Sequence, residues 1–259
     1  MNVVSVLDAI PLLVFFVAIL LLVLLSVEGG YRLGKFRRGR SDKELEAPVG
    51  AMVGATLGLL AFLLAFTFGL AAARFDDRRV VLLDEANAIG TCFLRAEMLP
   101  ERGEEVRSLL RKYVDVRLEV VRTGNMEGIR WSEEIQQQLW AHAVVLARNS
   151  SNLFVSLFVQ SLNDVIDLHA KRIQIGLRSR IPGIIWLALF AITVLSFAGM
   201  GYQAGLAGTC RSLAILAVAF AFSSVIWLIA DLDRPQEGTL QVSQQAMIDL
   251  QQSMALPIK

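Results

Sequence analysis

The sequence predicts an all-α membrane protein with four transmembrane helices and a helical domain inserted between the second and third helices. Four long apolar runs carry this prediction, and none contains Asp, Glu, Lys, Arg or His; they are residues 9–27, 47–73, 181–210 and 212–230. Each run is about as long as the ~20 residues that cross the hydrocarbon core of a bilayer. The polar segment between the second and third runs has apolar residues at helical spacing.

Composition agrees with this class and excludes others. Hydrophobic residues make up 55% of the 259 residues, above the ~45–50% apolar content of soluble domains. The net charge of +1 lacks the basic excess of nucleic-acid-binding domains, so no nucleic-acid partner is expected. Cys92 and Cys210 lie in different segments, which argues against a disulfide framework or a zinc site.

The order of these segments divides the chain into four regions. Residues 1–73 hold the first two spans and a basic connecting loop, and residues 74–180 form the extramembrane helical domain. Residues 181–230 hold the third and fourth spans, and residues 231–259 form a C-terminal tail. Pro48 and Pro182 mark the starts of two spans, because a proline costs least in the first turn of a helix.

The inserted domain is predicted to be helical throughout. Apolar positions spaced by three and four predict helices over residues 80–99, 101–122, 132–148 and 153–179. Residues 123–128 are predicted to form a loop, and Ser132 is predicted to cap the helix that follows. In the tail, a short amphipathic helix is predicted from the spacing of Leu240, Met247, Leu250 and Met254.

The second span carries a stripe of small residues along one helix face. The stripe consists of Gly50, Gly54, Gly58, Ala61, Ala65 and Gly69. Small residues at such spacing let helix backbones approach closely inside a membrane. Gly50, Gly54 and Gly58 are therefore predicted to pack against another helix, and packing alone would explain the whole stripe.

The same face is also a candidate pore lining. At 100° per residue, Gly58 and Phe62 lie within about 20° of the line through Gly69. Gly58, Ala65 and Gly69 would leave room for a passage, while Phe62 and Phe66 would form a constriction that gates by dewetting. The alternative is that these phenylalanines face lipid or a protein core.

A polar vestibule would follow this constriction if the helix continued unbroken to residue 95. Asn87 then lies in phase with Gly69, and Thr91 and Asp84 lie about 40° and about 60° away. The predicted vestibule consists of Asp84, Asn87, Thr91 and Arg95. The alternative is an ordinary solvated helix face.

The sequence offers little for catalysis, coupled transport or metal binding. Proton relays and ion-coupled transporters place ionisable residues inside their spans, and these four runs have none. His142 and His169 stand outside any catalytic or zinc-binding motif, so no catalytic residue, metal or cofactor is expected and the protein is not expected to be an enzyme. Asp164, Asp167 and His169 form a conceivable cation site, although Asp167 is also an ordinary i, i+4 partner for Lys171.

Three separated motifs stand out in order along the chain. They are GLLAFLLAFTFGLAA at residues 58–72, RFD with LDEANAIGT at residues 74–76 and 83–91, and DLDRP at residues 231–235. Together they resemble the bestrophin-like family of bacterial membrane proteins, also called DUF4239, over nearly the whole chain. The expected fold is therefore bestrophin-like.

The resemblance implies an oligomeric, ion channel-like protein. Bestrophins are pentameric anion channels whose second transmembrane helix lines the pore. By this analogy, the partners are the lipid bilayer, further copies of the chain in a pentamer, and chloride or another anion. An alternative of a different class is a non-conducting membrane scaffold or sensor whose helical domain binds a partner.

The expected location is the bacterial inner membrane, with several crossings. Basic residues give opposing indications of orientation. The loop between the first two spans holds Arg32, Lys35, Arg37, Arg38, Arg40 and Lys43, and comparable numbers flank the inserted domain. The resemblance to bestrophins places the helical domain and both termini on the cytoplasmic side.

Overall fold

The computed structural model describes residues 10–39, 46–99, 101–149, 152–208, 213–234 and 238–256. These residues form α-helices joined by turns, with one π-helical segment, Gln174–Arg178, and no strand among them. The prediction of an all-α fold is confirmed. The helices are α1 (Leu12–Arg38), α2 (Glu46–Glu97), α3 (Gly103–Thr123), α4 (Glu127–Asn149), α5 (Leu153–Ile173), α6 (Gly183–Ala207), α7 (Leu213–Asp233) and α8 (Gln245–Ala255).

Four of these helices are long and apolar enough to cross a membrane. They are α1, the part of α2 from Pro48 onward, α6 and α7. Each contains most of one of the four apolar runs, so the prediction of four candidate transmembrane helices is confirmed. The helix α1 continues past its apolar run, through basic residues, to Arg38.

The chain divides into two compact units. The first unit comprises Met1–Phe75 and Arg180–Gln241, and the second comprises Asp76–Ser179 and Val242–Lys259. The core of the first unit includes Phe15, Leu60, Leu189 and Phe197. Large side chains from α1 and α6 meet there, for instance Phe15 and Trp186, whose rings lie edge to face with centroids 6.2 Å apart.

Glycines let α1 and α6 approach at backbone distance within the first unit. A Cβ atom added to Gly30 would lie 1.9 Å from the carbonyl oxygen of Ala198, and one added to Gly201 would lie 2.0 Å from that of Val27. Gly34 and Gly205 are similarly confined, one turn further along. Both helices thus present a G-x-x-x-G pattern to the same crossing, a pattern typical of close packing in membranes.

The second unit has its own apolar core. Its largest fully buried side chains include Ile89 of α2, Leu110 of α3, Leu139 of α4 and Phe158 of α5. The tail helix α8 joins this core through the buried Met247 and Met254. In addition, Arg111 Nε donates a hydrogen bond to the Met254 carbonyl at 3.0 Å.

Two helix ends in the second unit differ from the sequence prediction. The prediction that Ser132 caps a helix is wrong, because α4 begins at Glu127 and Ser132 is buried within it, donating to the Gly128 carbonyl. The Asn125 side chain instead accepts a hydrogen bond from the Glu127 amide at 3.0 Å. The helix predicted over residues 153–179 is α-helical only to Ile173 and continues as the π-helical segment.

Candidate functional site

One face of α2 in the first unit is left uncovered by the described residues of the chain. Phe62 is 67% exposed and Phe66 is 56% exposed. Gly58, Ala65 and Gly69 are exposed as well. The residues predicted as a pore lining therefore occupy a face available to lipid or to another protein chain.

The opposite face of α2 explains why this face stays open. Leu60, Leu64, Thr67 and Ala71 recur at spacings of four, three and four, and all are buried in the first unit. This stripe holds α2 against its own chain, and the predicted lining lies on the other side. Thr67 needs no outside partner, because its hydroxyl donates to the Leu63 carbonyl at 2.7 Å.

The three glycines predicted to pack against another helix have different surroundings. A Cβ atom on Gly50 would lie 2.7 Å from the side-chain nitrogen of Gln203. A Cβ atom on Gly54 or Gly58 would meet no described atom within 4 Å, and the same holds for Gly69. Within one chain, close helix packing is found at the α1–α6 crossing, so any packing role of Gly54 and Gly58 remains a prediction about contacts with other chains.

The predicted polar vestibule lies on α2 in the second unit. The backbone is helical through residues 74–77, as the prediction required. Asn87 and Thr91 are exposed, whereas Asp84 and Arg95 are half-buried. Arg95 donates a hydrogen bond to the Leu157 carbonyl at 2.8 Å, so part of its hydrogen-bonding capacity is directed into its own unit.

A buried polar cluster in the second unit was not among the predicted site residues. Its centre is Glu85 of α2, whose side chain has no solvent exposure. Arg117 of α3 forms an ion pair with Glu85, with 3.1 Å between Nε and Oε1, and Arg172 of α5 contacts the other carboxylate oxygen. The sequence does contain a signal, because Glu85 shares the apolar stripe of Leu82 and Ile89, where a carboxylate requires a buried partner.

Tyr113 connects this carboxylate to a histidine. Its hydroxyl donates to Glu85 Oε1 at 3.0 Å and accepts from Gln136 Nε2 at 3.3 Å. The same oxygen lies 2.9 Å from His169 Nδ1. Because the hydroxyl proton is used on Glu85, the consistent arrangement has neutral His169 donating from Nδ1 to Tyr113.

Burial and neighbouring cations keep His169 neutral. The pKa of His169 is lowered from 6.5 to about 4, first by burial and then by the Arg117 guanidinium, with Glu85 acting in the opposite direction. Burial also raises the pKa of Tyr113 well above its usual value. Among the described residues, the other ring nitrogen, Nε2, has no hydrogen-bond partner.

A second polar cluster forms at the DLDRP motif in the first unit. Asp233 accepts a hydrogen bond from the Ile181 amide at 3.0 Å, and Arg234 donates to the Ile10 carbonyl at 2.7 Å. Asp231 is fully buried and accepts from the Thr239 amide at 2.7 Å. This part of the motif therefore joins the end of α7 to the starts of α1 and α6, which is a structural role.

The described part of the chain shows no group of three His, Cys, Asp or Glu side chains arranged to hold a metal ion. Asp164 and Asp167 are exposed, whereas His169 is buried beside Tyr113 and Glu85. The three residues of the conceivable cation site thus face different surroundings.

Comparisons with known proteins agree with the predicted fold. A family model for the bestrophin-like domain matches residues 13–247. Among solved structures, the chain is similar to the crystal structure of a mutant of a bacterial bestrophin homolog from Klebsiella pneumoniae. The TM-score is 0.64 at 14% sequence identity, covering 94% of this chain and 97% of that chain, a likeness that shows the fold alone. No curated protein matches the chain.

Proposed function

The chain belongs to the bestrophin-like family, and on that premise we propose that several copies assemble in the membrane around an ion-conducting pore lined by α2. The observation that carries this proposal is the uncovered face of α2. Phe62 and Phe66 lie on that face beside Gly58, Ala65 and Gly69, which leave room for a passage. Phe62 and Phe66 form the constriction, because a narrow ring of apolar side chains excludes water until it opens.

The proposal requires more than one chain. Four spans from a single chain are too few to enclose a water-filled path, so the pore lies on a symmetry axis between copies. Gly54 and Gly58 support this arrangement, because their surroundings leave space for a neighbouring helix. By analogy with bestrophins, the assembly is a pentamer and the permeant ion is chloride or another anion.

We expect Phe62→Ala to increase ion flux. Truncating the ring removes the apolar barrier on the proposed pore face and leaves the buried stripe of α2 intact. The expected change is about tenfold in chloride flux per oligomer, which corresponds to a barrier lowered by about 1.4 kcal/mol. The measurement is chloride efflux from liposomes that contain the purified parent protein or the variant.

Phe68→Ala is the matched control for this experiment. Phe68 is an exposed phenylalanine on the same helix, but it lies about 120° around the axis from Phe62. Its truncation is expected to leave flux unchanged. Equal effects of the two substitutions would contradict a pore along the Phe62 face.

We expect Gly54→Leu to disrupt assembly while leaving the individual chain folded. A Cβ atom at Gly54 meets no described atom of its own chain within 4 Å, so the chain leaves space at this position and we expect the larger side chain to clash with another copy. Size-exclusion chromatography with light scattering should show a smaller particle, and circular dichroism should show unchanged helix content. An intact oligomer would place the subunit interface elsewhere.

The competing proposal is a non-conducting scaffold or sensor whose helical unit binds a partner. The exposed face of α2 would then contact lipid or a protein partner and would conduct nothing. Folded oligomer that passes no ions in either the parent or the Phe62→Ala form would support this second function. Replacing chloride by gluconate, and then sodium by a large organic cation, tests whether any current is carried by anions.

The proposed setting is the bacterial inner membrane, with the second unit and both termini in the cytoplasm. A reporter fused after Lys259 that folds only in the cytoplasm is expected to be active. Activity of a reporter that works only outside the cytoplasm, fused at the same position, would reverse the orientation.

A further inference from the structure

The buried cluster around Glu85 connects α2, α3, α4 and α5 of the second unit. The residues come from α2 (Glu85), α3 (Tyr113 and Arg117), α4 (Gln136) and α5 (His169 and Arg172). Arg172 also donates a hydrogen bond to Gln244 Oε1 at 2.9 Å, and Gln244 immediately precedes α8. Arg172 therefore links the centre of this cluster to the residue that precedes α8.

The charges already present in the cluster favour a neutral His169. One carboxylate, Glu85, serves two guanidinium groups, Arg117 and Arg172, so the cluster already has a net positive charge. His169 and Arg172 are three residues apart and lie on one face of α5. Protonation of His169 would add a third cation at a site that has one anion.

A second proton on His169 would also lack an acceptor. Nδ1 already contacts the Tyr113 hydroxyl, so the added proton goes to Nε2. This atom is buried and has no hydrogen-bond partner among the described residues. A buried donor without a partner is unfavourable, and a charged one more so. The charged state of His169 is therefore not accommodated by this packing.

We propose that His169 is an acid-sensitive switch of the second unit, and that its protonation releases α8 through Arg172. Arg172 responds because its side chain is 12% exposed, against 5% for Arg117 and 4% for His169. It is the cation that can most easily move into water when a third positive charge appears. Its departure breaks the hydrogen bond to Gln244.

Polar and charged side chains from four helices lie around His169. Glu85 faces it from α2, Tyr113 and Arg117 from α3, and Arg172 from its own helix, while α4 contributes the uncharged Gln136. Glu85 is the only acid among these residues, and Arg117 and Arg172 oppose its attraction for a charged histidine.

The pH range of the switch follows from the shift of His169. Its pKa is about 4 in the folded unit and 6.5 in an exposed histidine, so the unfolded chain binds the proton more readily. Stability from this group is complete above pH 6.5 and is lost as the pH falls from 6.5 towards about 4. Apart from Gln244, the contacts of α8 include the buried Met247 and Met254 and the hydrogen bond from Arg111 to the Met254 carbonyl, none of which involves His169. Loss of the Arg172 contact therefore loosens the start of α8.

Hydrogen exchange of the full-length protein in detergent tests the switch. Protection factors, which remove the intrinsic pH dependence of exchange, are measured for peptides covering Gln245–Ala255 between pH 7 and pH 4. We expect protection to fall about tenfold in the parent, the loss of roughly one hydrogen bond to a charged group. Unchanged protection down to pH 4 would overturn the proposal.

Two histidine variants identify the responsible group, because His142 and His169 are the only histidines in the chain. His169→Gln should keep α8 protected at pH 4, whereas His142→Gln should lose protection as the parent does. Equal loss in His169→Gln and the parent would assign the effect to carboxylates and overturn the proposal.

A third variant tests the relay without altering the histidine. Gln244→Ala removes the acceptor of Arg172, so α8 should already exchange faster at pH 7 and change little on acidification. Deuterium exchange at the imidazole C2 position, read by mass spectrometry, should give His169 a higher pKa in this variant than in the parent, because removing a contact that protonation breaks must favour protonation. Strong acid dependence of α8 exchange in Gln244→Ala would show that the Arg172–Gln244 contact does not transmit the change.

Discussion

Gly201→Ala is expected to be among the most damaging single-methyl changes in this chain. Its new Cβ would lie 2.0 Å from the Val27 carbonyl oxygen and 3.0 Å from the Tyr31 amide nitrogen, and these backbone atoms of α1 cannot move aside as a side chain would. The two helices would have to separate along their crossing. Overpacking of this kind costs about 3 kcal/mol or more. The measurement is the melting temperature and folded yield of purified protein.

Gly54→Ala is the matched control. The same methyl group on Gly54 meets no described atom of its chain within 4 Å, and alanine favours a helix over glycine. The isolated chain should therefore fold as the parent does. A Gly201→Ala protein with the melting temperature of Gly54→Ala would contradict backbone contact between α1 and α6.

Glu85→Gln is expected to destabilise the second unit severely. The substitution keeps the shape of the side chain but leaves Arg117 and Arg172 without the carboxylate that balances them. Removing one partner of a buried ion pair costs about 3–5 kcal/mol, because the remaining charge stays buried. Hydrogen exchange of peptides from α3 and α5 reports this loss directly.

Glu104→Gln provides the comparison for the Glu85 substitution. Glu104 pairs with Arg107 and Arg111 at the surface of the same unit, where water can replace the lost contacts. Its substitution should leave the exchange pattern nearly unchanged. If both variants behaved alike, the Glu85 cluster would not be essential to the second unit.

The four spans could be predicted because uninterrupted apolar runs of bilayer length are rare outside membrane-spanning helices. The ends of the helices were harder to predict from the sequence. The helix α1 continues to Arg38 through Gly30 and Gly34, because the close contact of these glycines with α6 offsets their low helix propensity. Serine is a common N-cap residue, but it is the Asn125 side chain, upstream of Ser132, that accepts a hydrogen bond from the backbone at the start of α4.

Helix arithmetic predicted that Phe62 and Gly58 share one face of α2 with Gly69. Sequence alone could not indicate which face the rest of the chain covers, because that depends on contacts with distant segments. The α1–α6 crossing had a visible signal in two G-x-x-x-G patterns, at residues 30–34 and 201–205. The longer stripe on α2 was the more prominent candidate for close packing.

The partners of Glu85 could not be predicted from the sequence. Glu85 meets Arg117 and Arg172, which are 32 and 87 residues away in the chain. A buried carboxylate on an apolar stripe predicts that a cation exists nearby. It cannot say which of the 25 lysines and arginines supplies it.

The glycine crossing of α1 and α6 has a consequence for biosynthesis. Gly30 and Gly201 are 171 residues apart (201 − 30), and the whole second unit except its tail lies between them. At roughly 5–20 residues per second, a ribosome needs about 10–30 s to make that stretch. Throughout this interval the backbone of α6 is absent, so the glycine face of α1 lacks the partner helix that it packs against in the folded chain.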